Sequence, residues 1–206
     1  MGYNLGDDLR LTEGNVHDNP WLKLNGELQD HLLSLYASER ITGYTNLTQN
    51  VTQTIFESVH VIANLDSTNP YTTAGFTLAP FGALIQNQDG RLVAGILTAF
   101  NGYPLSAGDH YLIVKIDLDQ ISVRQPMGSS TSLTLSLPAG WQTSDPIQAY
   151  AEDIGGNPLG NIPLTISVSG ITFTYPLTMA GAEVEQVLIA NPNITSHHIY
   201  LPIVNK

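Results

Sequence analysis

The sequence predicts a mainly β protein made of antiparallel β-sandwich modules, with one α-helix near the N-terminus. Three observations support this fold class. Apolar residues alternate with polar residues over many short segments. Clusters of Gly, Pro, Ser, Thr and Asn separate these segments about every 8 to 12 residues, a spacing typical of a sandwich. Finally, 42% of the residues are hydrophobic, enough for a core, and only 12% are charged.

The first predicted element is a helix from Pro20 to Ser38. Asp18 or Asn19 can cap its N-terminus, and a proline is well suited to the first helical turn. Its apolar positions recur at helical spacing and form a stripe that needs a partner surface. The stripe consists of Leu24, Leu28, His31, Leu32, Leu35 and Tyr36.

Strand patterns begin at Ile41. Residues 76–97 predict a hairpin whose tight turn lies at Asp89 and Gly90. Both faces of this hairpin are apolar, so we expect both to be covered. Pro80 cannot donate to a strand ladder, and the chain should kink or change partners there. Residues 110–123 predict one long alternating strand.

A second set of strand patterns follows residue 130, and we place a boundary at Gln125 to Ser130. The predicted organisation has four parts, and the sequence leaves open whether the two central parts form one sandwich or two. They are 1–45 (loop plus helix, the edge of a missing domain), 46–124 (antiparallel β-sandwich), 125–190 (Ig-like β module) and 191–206 (C-terminal tail).

Charge and composition exclude several classes of function. The net charge is −11 with only seven Lys and Arg residues, so no basic stripe for DNA or RNA can form. The absence of cysteine excludes disulfides, thiolate metal sites and cysteine nucleophiles. No apolar stretch is long enough for membrane insertion. The polar first residues lack the pattern of a signal peptide, so we expect a cytosolic protein or an excised piece of a longer one.

The best candidate binding residues are aromatic. Trp141, Tyr71, Tyr103 and Tyr150, together with Trp21, could form a platform on which a sugar ring stacks. Trp141 follows Pro138, Ala139 and Gly140 in a predicted loop. The alternative, which is favoured, is that a tryptophan on a loop closes the open end of a sandwich.

Asp117 and Asp119 are the candidate metal ligands, because they share one face of the predicted strand. They could be an acid/base pair, a set of Ca²⁺ ligands or a solvated strand end, and the solvated end is favoured. The segment lacks the glycine and the final glutamate of an EF-hand loop. The six histidines have no metal-binding spacing. We expect no catalytic residue in this chain, and no cofactor apart from Ca²⁺ at this pair.

Residues 43–97 resemble the region that follows the catalytic (β/α)₈ barrel in secreted bacterial glycoside hydrolases. The resemblance lies in the strand Val59–Asn64, the Leu-Ala-Pro-x-Gly step from Leu78 to Gly82, and the Asp89-Gly90 hairpin. Residues 132–177 resemble a bacterial immunoglobulin-like module. Residues 197–204 resemble the C-terminal tails of some exported bacterial proteins.

This resemblance implies a non-catalytic accessory region of a secreted carbohydrate-active protein. Its partner would be a neighbouring catalytic domain or a polysaccharide, and its location would be extracellular. The helix Pro20–Ser38 would then be the last helix of the barrel. Two alternatives stay open, namely an independent carbohydrate-binding module and a surface or adhesion protein built from Ig-like repeats.

Overall fold

Antiparallel β-strands dominate the structure, a computed structural model that describes residues 26–194. The predicted mainly β sandwich with one short helix is confirmed. The helix α1 (residues 26–36) contains a π-helical turn, Gln29–Leu33, and an α-helical turn, Ser34–Tyr36. Residues 20–25 of the predicted helix lie outside the described residues. The strands, in chain order, are β1 (Ile41–Asn46), β2 (Val51–Phe56), β3 (Val59–Asn64), β4 (Tyr71–Thr73), β5 (Phe76–Leu78), β6 (Ala83–Asn87), β7 (Leu92–Phe100), β8 (Tyr103–Pro104), β9 (His110–Ile116), β10 (Gln120–Met127), β11 (Thr131–Leu135), β12 (Gln148–Glu152), β13 (Pro158–Asn161), β14 (Thr165–Ser167), β15 (Gly170–Tyr175), β16 (Thr178–Met179), β17 (Ala182–Glu183) and β18 (Gln186–Ala190).

Thirteen of the described strands form one antiparallel sheet, which we call the long sheet. Its main order is β1-β2-β3-β6-β7-β9-β10-β18-β12-β13. In addition, β5 and β8 pair with β7, and β4 pairs with β5. Strands β11, β15 and β14 form a separate short sheet, and β16 pairs with β17.

The two faces of the long sheet are covered by different partners. One face packs on the short sheet and buries residues such as Leu84, Val93 and Leu112, which we call the main core. The opposite face packs on α1. Because strand side chains alternate between faces, the neighbours Ile85, Ala94 and Ile113 point to this side. With Leu32, Val59 and Leu92 they form the helix-side core.

The β6–β7 hairpin lies where the sequence predicts it. Gln86 pairs with Val93, and residues on both faces of the hairpin are buried in the two cores. The chain also changes partners at Pro80, because β5 pairs with β4 and β7 whereas β6 pairs with β3 and β7. A glycine is required at position 82, since a Cβ atom there would lie 2.7 Å from the carbonyl oxygens of Ala79 and Ile96.

Strand β10 continues into the expected boundary at residues 125–130 and ends at Met127. It pairs with β9 on one side and with β18 on the other, so the long sheet continues from the first half of the chain into the second. The main core also contains residues from both halves, including Leu112 and Phe173. Among the described residues, the two central parts, which the sequence left open as one sandwich or two, thus share one sheet and one core.

The predicted long strand over residues 110–123 is instead a hairpin. Strand β9 ends at Ile116 and β10 begins at Gln120, with Asp117, Leu118 and Asp119 between them. The backbone N–H of Asp117 donates to the carbonyl of Gln120 at 2.8 Å. Apolar alternation resumes directly after this short turn, which explains why the sequence pattern did not reveal it.

Replacing Gly90 with valine should lower the melting temperature. Gly90 lies in the β6–β7 turn with φ of 73°, a conformation that a β-branched residue adopts only at a cost of order 1–3 kcal/mol. Calorimetry should show a decrease of several degrees. Gly90→Asn is the matched control, because asparagine tolerates positive φ and should change the melting temperature less. Equal melting temperatures for wild type and Gly90→Val would contradict the turn geometry.

Candidate functional site

Trp141 is part of the main core and is not an exposed platform for sugars. Only 6% of its surface is accessible, and its indole Nε1–H donates to the carbonyl of Leu118 at 2.9 Å. A sugar needs an open ring face for stacking, and this burial leaves none. The glycan-binding role predicted for Trp141 is therefore corrected. Its bond to the β9–β10 turn agrees with the alternative, a tryptophan that closes the end of the sandwich.

The three candidate tyrosines do not gather on one face. Tyr150 alternates along β12 with Ala149 and Ala151 of the main core, so its side chain lies on the opposite face of the long sheet. Tyr71 on β4 packs against the main core. Tyr103 on β8 is 44% exposed and pairs with Phe100. These positions do not build a common stacking platform, and Trp21 lies outside the described residues.

Asp117 and Asp119 occupy the β9–β10 turn rather than one strand face. The backbone carbonyl of Asp119 accepts a hydrogen bond from the N–H of Asn191 at 2.9 Å. Within residues 26–194, no group of three His, Asp or Glu side chains has an arrangement that could hold a metal ion. Ca²⁺ binding at this turn stays a prediction from the sequence.

A large cavity lies on the α1 side of the long sheet. It has a volume of about 590 Å³ and is bounded by the C-terminal part of α1, the β2–β3 and β6–β7 turns, and the end of β9. Two of the charged residues in its wall form ion pairs with nearby arginines. Glu57 pairs with Arg40 at 3.3 Å, and Asp89 pairs with Arg91 at 3.8 Å. The wall thus mixes both signs of charge and favours no single class of ligand.

A serine–histidine pair that the sequence analysis did not identify lies between β8 and β9. Ser106 Oγ is 3.3 Å from His110 Nε2, and His110 is fully buried. The same Nε2 atom also lies 3.0 Å from the carbonyl oxygen of Ser106. That contact is favourable only if Nε2 carries the hydrogen, which leaves no lone pair there to accept the serine proton. The pair is therefore arranged to hold the loop, not to activate a nucleophile.

The most unusual electrostatic feature joins α1 to the long sheet. The Arg124 guanidinium on β10 uses one nitrogen, Nη1, to contact Glu27 on α1 at 3.2 Å and Glu185 before β18 at 2.5 Å. The three side chains are only 16%, 13% and 8% exposed, respectively. We call this group the Glu27–Arg124–Glu185 cluster. His31 lies one helical turn from Glu27, with a nitrogen–oxygen distance of 3.7 Å.

The pKa values in and around this cluster are displaced by burial. Burial, followed by the hydrogen bond and the charge of Glu185, raises the pKa of Glu27 to about 7, and Arg124 opposes the increase. Burial and the positive charge of Arg124 lower the pKa of His31. Burial likewise lowers the pKa of Lys115, and the Arg124 charge adds to this effect.

No sequence signal identified this cluster. Glu27 and Arg124 are separated by 97 positions, and Arg124 and Glu185 by 61. Nothing in the local pattern around any of the three residues points to the other two. One clue was available in the sequence. Basic residues are scarce, so Arg124 stands out, and an arginine in the middle of an alternating strand needs a carboxylate partner.

Comparison with known proteins gives no relative from which a function could be transferred. No family model, no curated protein and no solved structure matches this chain. No helix among residues 26–194 is long and apolar enough to cross a membrane. The geometry above defines a β-sandwich protein with a charged cluster between its helix and its long sheet.

Replacing Trp141 with alanine should destabilise the protein strongly. Removing a buried tryptophan typically costs about 3–5 kcal/mol in the free energy of unfolding. Trp141→Phe should cost less, because much of the ring volume remains while the bond to Leu118 is lost. Denaturant unfolding would measure both. Tyr103→Ala is the control, since an exposed residue should change stability by less than about 0.5 kcal/mol. An unchanged unfolding midpoint for Trp141→Ala would contradict the core assignment.

Proposed function

We propose that this chain is a non-catalytic accessory region of a secreted carbohydrate-active protein, and that it supports a neighbouring catalytic domain. The observation that carries the proposal is an uncovered surface at one end of the long sheet, formed by the β1–β2 hairpin (residues 41–56). The enzyme family and the secreted location come from the resemblance in the sequence, and the docking role comes from this surface.

The β1–β2 hairpin forms one end of the long sheet, and its outer strand β1 is the exposed part. Strand β1 is an edge strand, and five of its six residues are exposed. Ile41 and Tyr44 are 63% and 62% exposed, respectively. Large apolar and aromatic side chains at an open edge are typical of a surface that another domain covers.

The chemistry of the hairpin favours a protein partner. Residues 41–56 contain no Asp, Glu, Lys or Arg in a chain with a net charge of −11. Charged residues are depleted at the centres of protein interfaces because removing them from water is costly. The hairpin is therefore the part of this acidic protein that another domain can cover with little desolvation cost.

The helix α1 adds exposed apolar surface next to the β1–β2 hairpin. Tyr36 packs against Phe56 of β2 with ring centroids 5.0 Å apart, which places the end of α1 beside the hairpin. Leu33 and Leu35 on α1 are exposed. A neighbouring domain that contacted the hairpin from this side would also cover these leucines.

The alternative of an independent carbohydrate-binding module has less support. Its main candidate residue, Trp141, is buried, and the candidate tyrosines point to different faces. A surface or adhesion role predicts further copies of the module in the same polypeptide, and the β1–β2 surface does not distinguish that role from the accessory one.

Tyr44→Lys should disrupt docking without disturbing the fold. Because Tyr44 is exposed, the melting temperature of this chain alone should stay within about 2 °C of wild type. In the intact parent polypeptide, the same change should lower the melting temperature of the neighbouring domain. Loss of an aromatic anchor at an interface typically costs about 1–2 kcal/mol or more. Calorimetry of both proteins measures the effect.

Val168→Lys provides the control, because Val168 lies in the β14–β15 turn and is 98% exposed. It introduces the same charge away from the β1–β2 hairpin and should leave the neighbouring domain unchanged. Equal effects of the two variants would contradict docking through the hairpin. Polysaccharide hydrolysis by this chain alone would contradict the non-catalytic role.

A further inference from the structure

Phe81 is an exposed aromatic residue held in an unfavourable backbone conformation. It lies in the turn between β5 and β6, which is closed by a hydrogen bond from the N–H of Gly82 to the carbonyl of Ala79 at 2.8 Å. Pro80 and Phe81 occupy the two central positions, and the φ of Phe81 is 56°. This is the pattern of a type II turn, whose third position favours glycine or asparagine because other side chains are strained at positive φ.

The other described residues with positive φ do not show the same conflict. Among residues 26–194, the non-glycine residues with positive φ besides Phe81 are Ala74, Asn101 and Ala180. Each of them precedes a glycine that also has positive φ, in the short turn of a two-strand hairpin. Alanine and asparagine are small, whereas the phenylalanine at position 81 is bulky and 64% exposed. Its ring therefore contributes little to the stability of this chain, while its backbone conformation costs free energy.

Hydrogen bonds to the preceding loop hold this turn in place. The N–H of Phe81 donates to the carbonyl of Asp66 at 3.0 Å. The buried Asn64 donates from Nδ2 to the carbonyl of Ala79 at 3.0 Å, and its backbone N–H donates to the carbonyl of Gly82 at 2.9 Å. These contacts over-determine the strained backbone. A residue whose backbone is already fixed loses little further entropy when a partner covers it.

The same loop joins this turn to the β1–β2 hairpin. The N–H of Leu65 donates to the carbonyl of Asn50 at 2.7 Å, and Asn50 Nδ2 donates to Asp66 Oδ2 at 3.1 Å. Asn50 belongs to the turn between β1 and β2. Leu47 in that turn and Leu65 are 37% and 42% exposed, respectively. The β1–β2 turn, Leu65 and Phe81 are therefore neighbours along the backbone contacts at this end of the strands, and each provides an exposed apolar side chain.

We propose that Phe81 is an anchor residue of the surface through which this chain docks on its neighbouring domain. The inference rests on the proposed function and extends the docking surface from the β1–β2 hairpin to the turn between β5 and β6. In the docked state the ring fills an apolar pocket of the partner, and this contact offsets the strain in the turn. Aromatic residues are enriched among those that dominate the binding energy of protein interfaces.

The groups around Phe81 favour a protein partner over a sugar. A bound sugar needs polar groups that fix its orientation as well as a ring on which to stack. Donors on the adjoining loop are already used inside the chain, because Thr68 Oγ1 and Asn69 Nδ2 donate to the Asp66 carboxylate at 3.1 Å and 3.2 Å. Asn50 Nδ2 donates to the same carboxylate. The exposed leucines at this end of the strands suit an apolar protein surface instead.

The first test compares wild-type side chains in this chain alone and in the intact parent polypeptide. Hydroxyl-radical oxidation followed by mass spectrometry measures how accessible each aromatic ring is. Phe81 should be oxidised several times more slowly in the parent polypeptide, because the neighbouring domain covers it. Tyr103, which is 44% exposed on β8 and outside this surface, should react equally in both proteins. Equal oxidation of Phe81 in the two proteins would overturn the proposal.

The variant Phe81→Asn separates the anchor from the fold. Asparagine tolerates positive φ better than phenylalanine, so the melting temperature of this chain alone should stay at or above that of wild type. In the parent polypeptide the same change should weaken docking about tenfold or more, the usual effect of removing an aromatic anchor. Calorimetry records the weakening as a lower melting temperature of the neighbouring domain. Ala74→Asn is the matched control, because it places asparagine at another exposed position with positive φ and should leave docking unchanged.

The outcomes distinguish a failure of this proposal from a failure of the proposed function. If Tyr44→Lys weakens docking and Phe81→Asn does not, the hairpin docks but Phe81 is not an anchor. If neither variant has an effect, both the docking surface and the anchor are wrong. A melting temperature of the isolated Phe81→Asn chain several degrees below wild type would show that the ring is structural. Oligosaccharide binding that disappears in Phe81→Asn would also overturn the proposal, because the ring would then stack on a sugar.

Discussion

The pairing of β10 with β18 is the interaction on which the rest of the structure depends. Residues 120–123 pair with residues 187–190, which brings two distant parts of the chain into one sheet. Without this ladder, β12 and β13 would have no connection to the first ten strands, and the short sheet would lose much of the surface on which it packs. The same pairing places Arg124 beside Glu185, so the charged cluster follows from the topology. Non-local strand pairing of this kind is also the slow step expected in folding.

Both faces of the long sheet are apolar and need to be covered. The two layers that cover them differ in the number of apolar residues they bury. The short sheet buries a large main core that contains Leu133, Phe173 and Tyr175. The Tyr175 hydroxyl ties the short sheet to the long one by donating to the carbonyl of Glu185 at 3.2 Å. The other cover is a helix of three turns with few apolar contacts, held partly by charge. The fold thus combines one covering layer with many apolar contacts and one with few.

The hairpin and the helix, which depend on residues close together in the chain, could be predicted from local patterns in the sequence. The β6–β7 hairpin could be predicted because Gly90 marks the turn and both flanking runs alternate. The helix was predicted from Leu28, Leu32 and Tyr36, although no pattern indicates its π-helical turn. The missed β9–β10 turn is a local failure, whereas the other features that the sequence did not reveal depend on residues far apart in the chain. Trp141 is buried by distant strands, the two halves of the chain share one sheet because β18 pairs with β10, and Glu27 meets Arg124 across 97 positions.

Strand β1 has one irregularity that affects how its open edge can be used. Its register with β2 shifts between Ile41 and Gly43, which interrupts the regular ladder near the start of the strand. Such bulges twist an edge away from flat pairing, and they are one way in which proteins avoid uncontrolled growth of sheets. The surface that we propose to receive a partner is thus also an open sheet edge, and the bulge limits regular pairing along it.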